Sequence, residues 1–449
     1  MTPRTSSFVH ADVCKLPVGI IGGGYAGMAA AVELTRHGVP AVVLERSTVL
    51  GGRARCVHTD GYALDNGQHL LLGAYTELLR LMRFLRVPPR VLERRALELR
   101  TASGELHFLA ARAPAPWHLA LGLWRAHGLD WNERLACLRL MRLLRRKRPL
   151  PEPLRSVTEL LAYTRQPERL NRLLWHPLCI SALNTRPEEA CAHTFQHVLQ
   201  DSLGAAAPAS EFLVPRCDLS ELFPVPAARF LGSHGARVHV SATVKAIRPL
   251  SEGGFMLEGT GFIETRVGHL IIAVAPYHVE PLLAPLLPKY PELVKRIQNI
   301  EYRPISTTWF HPGADWRTPH PILALTQGPA QWLFDRSAFG DPQGLWALVA
   351  SASEPASAEA HTTAVWQQLR RELDRPLSPP KWARTVTERR ATFACLPEFE
   401  RPPIRTPMPG VFLAGDYLDP RYPATLEAAV RTGIVAARTI LRGMSKRAS

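Results

Sequence analysis

At 449 residues the chain is too long for one simple core, and its length points to a two-domain enzyme. Apolar residues make up 46% and charged residues 21%, which excludes a disordered composition. The net charge of +15 is carried mainly by arginine; it suits an acidic partner such as nucleic acid or an anionic membrane, and equally an Arg-rich, GC-biased genome. The seven cysteines (Cys14, Cys56, Cys137, Cys179, Cys191, Cys217 and Cys395) are scattered and contain no C-x-x-C, so neither a disulfide framework nor a metal site is expected. Reduced thiols place the chain in the cytoplasm. The first residues lack the apolar core of a signal peptide, and no run of about 18 apolar residues is present to span a membrane.

In chain order, Val18 to Ile21 reads as a buried parallel strand ending in "GGGYAG". A run of helix formers comes next and stops at Gly38, and Pro40 to Glu45 reads as a second buried strand, completing a β-α-β unit. Glu77 to Leu85 reads as helix. Ala113 to Gly128 is apolar but too short to span a bilayer. Asn132 to Arg148 reads as a basic amphipathic helix, ended by the prolines from Pro149. From about 155 to 230 helix and loop are expected. Ala236 to Pro249 alternates like strands, and His269 to Val279 contains another buried strand. A strand, a loop and a long helix close the chain.

Gly22, Gly24 and Gly27 form G-x-G-x-x-G. The first glycine permits a tight turn, the second a close backbone approach to a pyrophosphate, and the third close packing of helix on strand. The helix start then offers free N–H groups and a positive dipole end to phosphate. Glu45, at the end of the second strand, can hold ribose hydroxyls, although the neighbouring Arg46 muddies that reading. NAD and FAD share this grip.

The residues after Glu45 separate the two cofactors. "ERSTVLGGRARC" resembles the extended fingerprint of flavoproteins of the amine oxidase and phytoene desaturase type, with Arg53 able to supply charge to the pyrophosphate. "GVFLAGDY" resembles the second flavin motif of those families, where the aspartate, here Asp416, sits by the ribityl chain and phosphate. "PATLEAAVRTG" resembles the helix whose first amides face the flavin ring. Val244 matches the strand residue that touches adenine through its backbone. The resemblance implies FAD as cofactor, with Gly22, Gly24, Tyr25, Ala26, Gly27, Glu45, Arg46, Gly52, Arg53, Gly67, Gln68, Val244, Gly415, Asp416, Thr425 and Leu426 in contact with it.

"GYALDNGQHLLLGAYTELLRLMRFL", "WHPLCISALNTRPEEACAHTFQHVLQDSL", "EFLVPRCDLSELF", "YRPISTTWF" and "ERRATFACLP" resemble the hydroxysqualene dehydroxylase family over nearly the whole chain. The resemblance implies that hydroxysqualene loses its hydroxyl and receives a hydride from reduced FAD, giving squalene in squalene and hopanoid synthesis. An electron donor, which the sequence leaves unknown, must reduce the flavin. The allylic carbinol needs a donor to help hydroxide leave, and a dry tunnel to exclude water. Asp65 protonated in an apolar pocket, Gln68, and His69 as imidazolium are the candidate catalytic residues; turn chemistry alone also explains them. Carotenoid (phytoene-type) desaturase and amine oxidase remain alternatives.

The fold class implied is α/β: a Rossmann-like FAD-binding domain of the GR2 flavoprotein type with an inserted α+β substrate domain. The expected boundaries are residues 16–85, 205–278 and 405–445 for the first, and 86–204 with 279–404 for the second. In the basic helix, Leu135, Leu138, Met141 and Leu144 recur at spacing 3, with Arg139, Arg142 and Arg146 beside them and Arg145, Lys147 and Arg148 at the end. It lies either on the inner face of an anionic membrane or with its apolar stripe on the core. No recognition motif accompanies the charge, so no nucleic-acid partner is expected.

Overall fold

The computed structural model describes residues 15–145, 150–313, 316, 318, 320–341, 344–353, 357–374 and 376–448. Cys14, the N-terminal segment read for a signal, Arg146, Lys147, Arg148 and Pro149 lie outside these residues.

The opening apolar runs become the middle of a five-stranded parallel sheet. Its order is Arg237–His239, Ala41–Leu44, Val18–Ile21, His269–Ile272, Val411–Leu413. Val18–Ile21 and Ala41–Leu44 are buried at every residue, because the sheet is covered on both faces; hence they read as unbroken apolar runs. Helix Tyr25–Thr35 packs on one face with the C-terminal helix Leu426–Ala448 against it. The two helices meet at Gly433, where a Cβ would lie 2.1 Å from the Ala26 carbonyl oxygen. Helices Thr76–Phe84 and Pro224–Ser233 add to the same cluster.

The other face carries a three-stranded antiparallel sheet, Thr243–Pro249, Phe255–Thr260 and Thr265–Val267. It seats over Gly19: Val267 and Leu257 methyls lie 3.0–3.1 Å from where a Cβ would stand.

The rest of the chain builds a second body around a five-stranded antiparallel sheet, ordered Ile322–Ala324, Trp332–Asp335, Trp346–Ser351, Tyr302–His311, Trp382–Phe393. The inner strand Tyr302–His311 buries Ser306 and Thr308, whose hydroxyls bond Thr387 and Thr385 at 2.8 Å each. Pairing satisfies these hydroxyls and lets polar residues sit in a core strand. Helices Trp131–Arg145, Val157–Tyr163, His176–Leu183 and Ala192–Ser202 pack beside it.

One small sheet joins segments that the sequence reading divides. Phe212–Pro215 pairs with both Leu71–Leu72 and Leu92–Arg95. This strand falls inside the stretch read as helix and loop, because four consecutive buried apolar positions carry no period of their own. Among the described residues no helix is long and apolar enough to cross a membrane.

Candidate active site

The glycine turn is shaped as its spacing demands. Gly22 has φ 110°, and a Cβ there would stand 2.6 Å from the Ala273 carbonyl oxygen. A Cβ on Gly27 would stand 2.0 Å from the Gly22 carbonyl oxygen, so helix and strand approach as closely as backbone allows. Gly24 differs. A Cβ there meets nothing nearer than 3.7 Å, and Gly24 caps the helix with no side chain. The first amides of the helix, Tyr25, Ala26 and Gly27, therefore have no partner from its own turns. Tyr25 contributes only backbone to this end. Its side chain turns inward, donates to the Leu219 carbonyl at 2.8 Å, and packs 5.4 Å from the Phe223 ring.

The Glu45 carboxylate accepts from the Gly23 N–H at 2.6 Å and the Ser47 N–H at 2.7 Å, which ties the second strand to the turn. The next motif folds directly onto the first. Gly51 donates to the Gly23 carbonyl at 3.0 Å, and Gly52, with φ 66°, lies against Gly24.

Arg53 reaches across to the other end of the chain. One guanidinium nitrogen contacts both Asp416 carboxylate oxygens, at 2.6 and 2.7 Å, and the other donates to the Ala391 carbonyl at 2.7 Å. The Arg53 charge, read as available to a pyrophosphate, is matched here by Asp416. Gly415 is held by Thr432, whose hydroxyl takes its N–H and donates to its carbonyl, both at 3.0 Å. Thr425 caps the long helix by accepting from Ala428 N–H at 3.1 Å, with Leu426 as the first helical residue. Val244 precedes a bulge in its strand, where the register skips from Val244 to Ala246. The Arg46 guanidinium stands 3.5 Å from His278 Nε2.

Of the sixteen residues expected around a dinucleotide, all but Gly27 line one cavity of about 730 Å³. Gly27 stands behind the wall, where its contact with Gly22 sets how closely the helix approaches the strand. A phosphate-bearing group fits this wall. The helix start presents unpartnered amides, Gly24 leaves room where a side chain would intrude, and the neutralised Arg53–Asp416 pair adds polarity without excess charge. Away from the glycines Leu72, Leu178, Phe212, Trp332, Phe334 and Val349 give the same cavity an apolar wall, interrupted by Ser181, Asn184, Asp201, Ser202 and Ser351.

The three catalytic candidates separate. Gln68 and His69 line the cavity. Asp65 does not. It ends the hairpin strand Tyr62–Asp65, where side chains alternate: Leu64 enters the apolar cluster, and Asp65 turns to the Leu219 N–H at 2.9 Å. Burial pushes its carboxyl up to about 7, against the pull of that hydrogen bond and of Arg336. This shift favours the protonated acid, but away from the cavity wall. His69 also departs from expectation. Burial lowers its pKa, and its Nδ1 lies 2.8 Å from the Gly67 carbonyl oxygen. With its proton on Nδ1 toward Gly67 the ring would offer Nε2 as an acceptor, and burial and Arg53 both disfavour the imidazolium form. Gln68 holds its own loop, donating from Nε2 to the His69 carbonyl at 2.9 Å.

Three features escape sequence reasoning. Tyr422 donates its phenolic proton to Asp201, and both line the cavity; Arg421 stands 3.2 Å from the same carboxylate. Asn184, with φ 46°, ends a helix and stitches two strands, donating to Thr392 Oγ1 at 2.8 Å and accepting from Ala352 N–H at 2.6 Å. Glu388 takes a bond from Asn66 Nδ2 at 3.2 Å. Each joins partners more than a hundred residues apart, and no local pattern announces such pairs.

Comparison with known proteins agrees with this geometry. Residues 25–441 match the family of flavin containing amine oxidoreductases. A hydroxysqualene dehydroxylase of Rhodopseudomonas palustris is 30% identical, over 94% of this chain and 98% of its own. One from Sinorhizobium fredii is 29% identical over 94% and 97%. In fold, cyclohexylamine oxidase from Brevibacterium oxydans superposes with a TM-score of 0.69 over 96% of this chain and 99% of its own, at 18% identity. The chain is therefore an FAD-dependent oxidoreductase that belongs to the flavin containing amine oxidoreductases and, within them, to the hydroxysqualene dehydroxylase family.

Proposed function

We propose that the protein removes the hydroxyl of hydroxysqualene and yields squalene, in the synthesis of squalene and hopanoids. The observation that carries this reading is the apolar half of the cavity, which Leu72, Phe212, Trp332, Phe334 and Val349 make suitable for a polyisoprenoid chain. Reduced FAD, when bound, supplies the hydride that replaces the hydroxyl. Gly22, Gly24, Tyr25 and Ala26 would hold the pyrophosphate by backbone, Gly27 fixes the helix that presents them, and Glu45 and Arg46 would serve the ribose. Gly52, Arg53, Gly415 and Asp416 would hold the phosphates, Val244 the adenine, and Gly67, Gln68, Thr425 and Leu426 the flavin ring. In domain terms, residues 16–85, 205–278 and 405–445 would form the cofactor half, and residues 86–204 with 279–404 the substrate half.

The chain's own part in the chemistry is to exclude water and to help the oxygen leave. The apolar wall does the first: water reaching an allylic cation would restore the alcohol. For the second, Tyr422 is the best donor. Its phenolic proton rests on Asp201, and burial and that carboxylate raise its pKa, so it stays protonated; the hydroxyl would swing from Asp201 to the departing hydroxide, the stronger base, which takes its hydrogen bond. His69, neutral, accepts a hydrogen bond and orients the substrate hydroxyl.

The test is a single turnover. The bound flavin is reduced without oxygen, hydroxysqualene is added in detergent, and flavin absorbance and lipid are followed together. One squalene per reoxidised flavin is expected, with Tyr422→Phe slowing reoxidation by about 10²-fold at unchanged flavin content. Failure to reoxidise, with FAD bound and the chain folded, refutes the reading in favour of a desaturase using oxidised flavin.

A further inference from the structure

Helix Trp117–Arg125 and helix Trp131–Arg145 present a second apolar face, outward. Trp117, Leu121 and Trp124 are 62%, 38% and 63% exposed; Trp131, Leu135 and Leu138 are 59%, 52% and 46% exposed. Both sets repeat at i, i+4 and i+7, so each forms one stripe along its helix. The stripes join where the Trp124 and Trp131 rings meet edge to face at 5.2 Å. Scattered exposed apolar residues are ordinary, whereas six large ones in one band mark a contact surface.

The core does not need this band. The second helix buries Ala136, Cys137, Leu140 and Leu144 on its opposite side. The periodic leucines of the sequence are therefore divided, Leu144 inward and Leu135 and Leu138 outward.

Charge identifies the partner. Five arginines, Arg125, Arg134, Arg139, Arg142 and Arg145, border the band. The acidic residues of the two helices and their connection are Asp130 and Glu133, and Glu133 is buried against Arg169 at 2.9 Å. Tryptophan rings flanked by arginine match the headgroup boundary of an anionic bilayer. Beneath the band, Leu119 packs on the cluster of Phe212, Trp332, Phe334 and Val349, which also walls the cavity.

We propose that this face seats the protein on the surface of an anionic lipid bilayer, whatever lipid the cavity takes. The test is flotation of the FAD-loaded full chain with vesicles of equal parts phosphatidylcholine and phosphatidylglycerol, against phosphatidylcholine alone. Flotation with the anionic vesicles is expected, with a blue shift of tryptophan emission. Trp124→Ser combined with Leu135→Ser weakens it by about tenfold, and Arg142→Gln with Arg145→Gln removes the preference for anionic lipid. All these side chains are exposed or lie at the exposed edge, so melting temperature and flavin content stay unchanged. The proposal falls if wild-type protein does not float, if the variants float equally, or if light scattering shows a vesicle-free dimer that the Trp124 and Leu135 changes dissolve.

Discussion

Asp65 stands one residue before the cavity wall and faces away from it, and its burial has a measurable consequence. An acid whose folded pKa is raised stabilises the fold below the ordinary carboxylate range and loses that contribution as pH rises through the folded value. Here the window runs from about 4 to about 7. Asp65→Asn keeps an acceptor for the Leu219 N–H and removes the ionisation. The melting temperature of this variant should gain on wild type across that window, by roughly a few degrees at its upper end; parallel profiles would refute the assignment. Gly24 gives a second prediction. Its φ of −76° and open surroundings accept a methyl, so Gly24→Ala should fold normally yet lose flavin by about tenfold or more in absorbance ratio, because the methyl enters the phosphate path. At this scale glycine spacing and a strand end placed the turn at Gly22, Gly24 and Glu45, and the resemblance to flavoproteins placed Val244, Gly415, Asp416, Thr425 and Leu426 on the same wall. The sequence did not show that Asp65 turns from the cavity to the Leu219 amide, that His69 is held against the Gly67 carbonyl, or that Arg53 is already paired. Those depend on Leu219, Gly67 and Asp416, and the first and last of these are far away in the chain.

Helices and strands read according to how local their causes are. The first strand, the first helix and the second strand lie within about three residues of their expected limits, since apolar runs and a glycine stop define them. The outward stripe at Leu135 and Leu138 shows the limit: spacing marks a face but not which neighbour covers it. Glu427 illustrates the same point. At a helix start it looks like an ordinary dipole partner, yet it is buried and accepts from the Glu77 and Leu78 amides of another helix, both at 3.0 Å. One helix thereby caps the next. Glu427→Ala leaves the buried Leu78 amide and the part-buried Glu77 amide unpaired and should destabilise the fold by about 1–3 kcal/mol in chemical denaturation, with the loss focused on Thr76–Phe84 in amide exchange. Uniform exchange along the chain would contradict that.

On the scale of the molecule, one cavity runs from the glycine turn to the antiparallel sheet, so cofactor and substrate walls are continuous. Ala182 lies on the lining helix His176–Leu183. Ala182→Trp should fill the apolar half and slow turnover of a long isoprenoid by more than about tenfold while flavin content holds; equal turnover would place the substrate elsewhere. The length of the chain pointed to two bodies, but the sheet joining Leu71–Leu72, Phe212–Pro215 and Leu92–Arg95 ties together segments that a linear division would separate. The join between Arg53 and Asp416 carries a consequence for folding. The parallel sheet pairs its edge strand Val411–Leu413 with His269–Ile272, and Asp416 comes just after it. The glycine turn forms from neighbouring residues, whereas this pair closes a loop of 363 residues, so the phosphate wall is complete only after segments far apart in the chain have met.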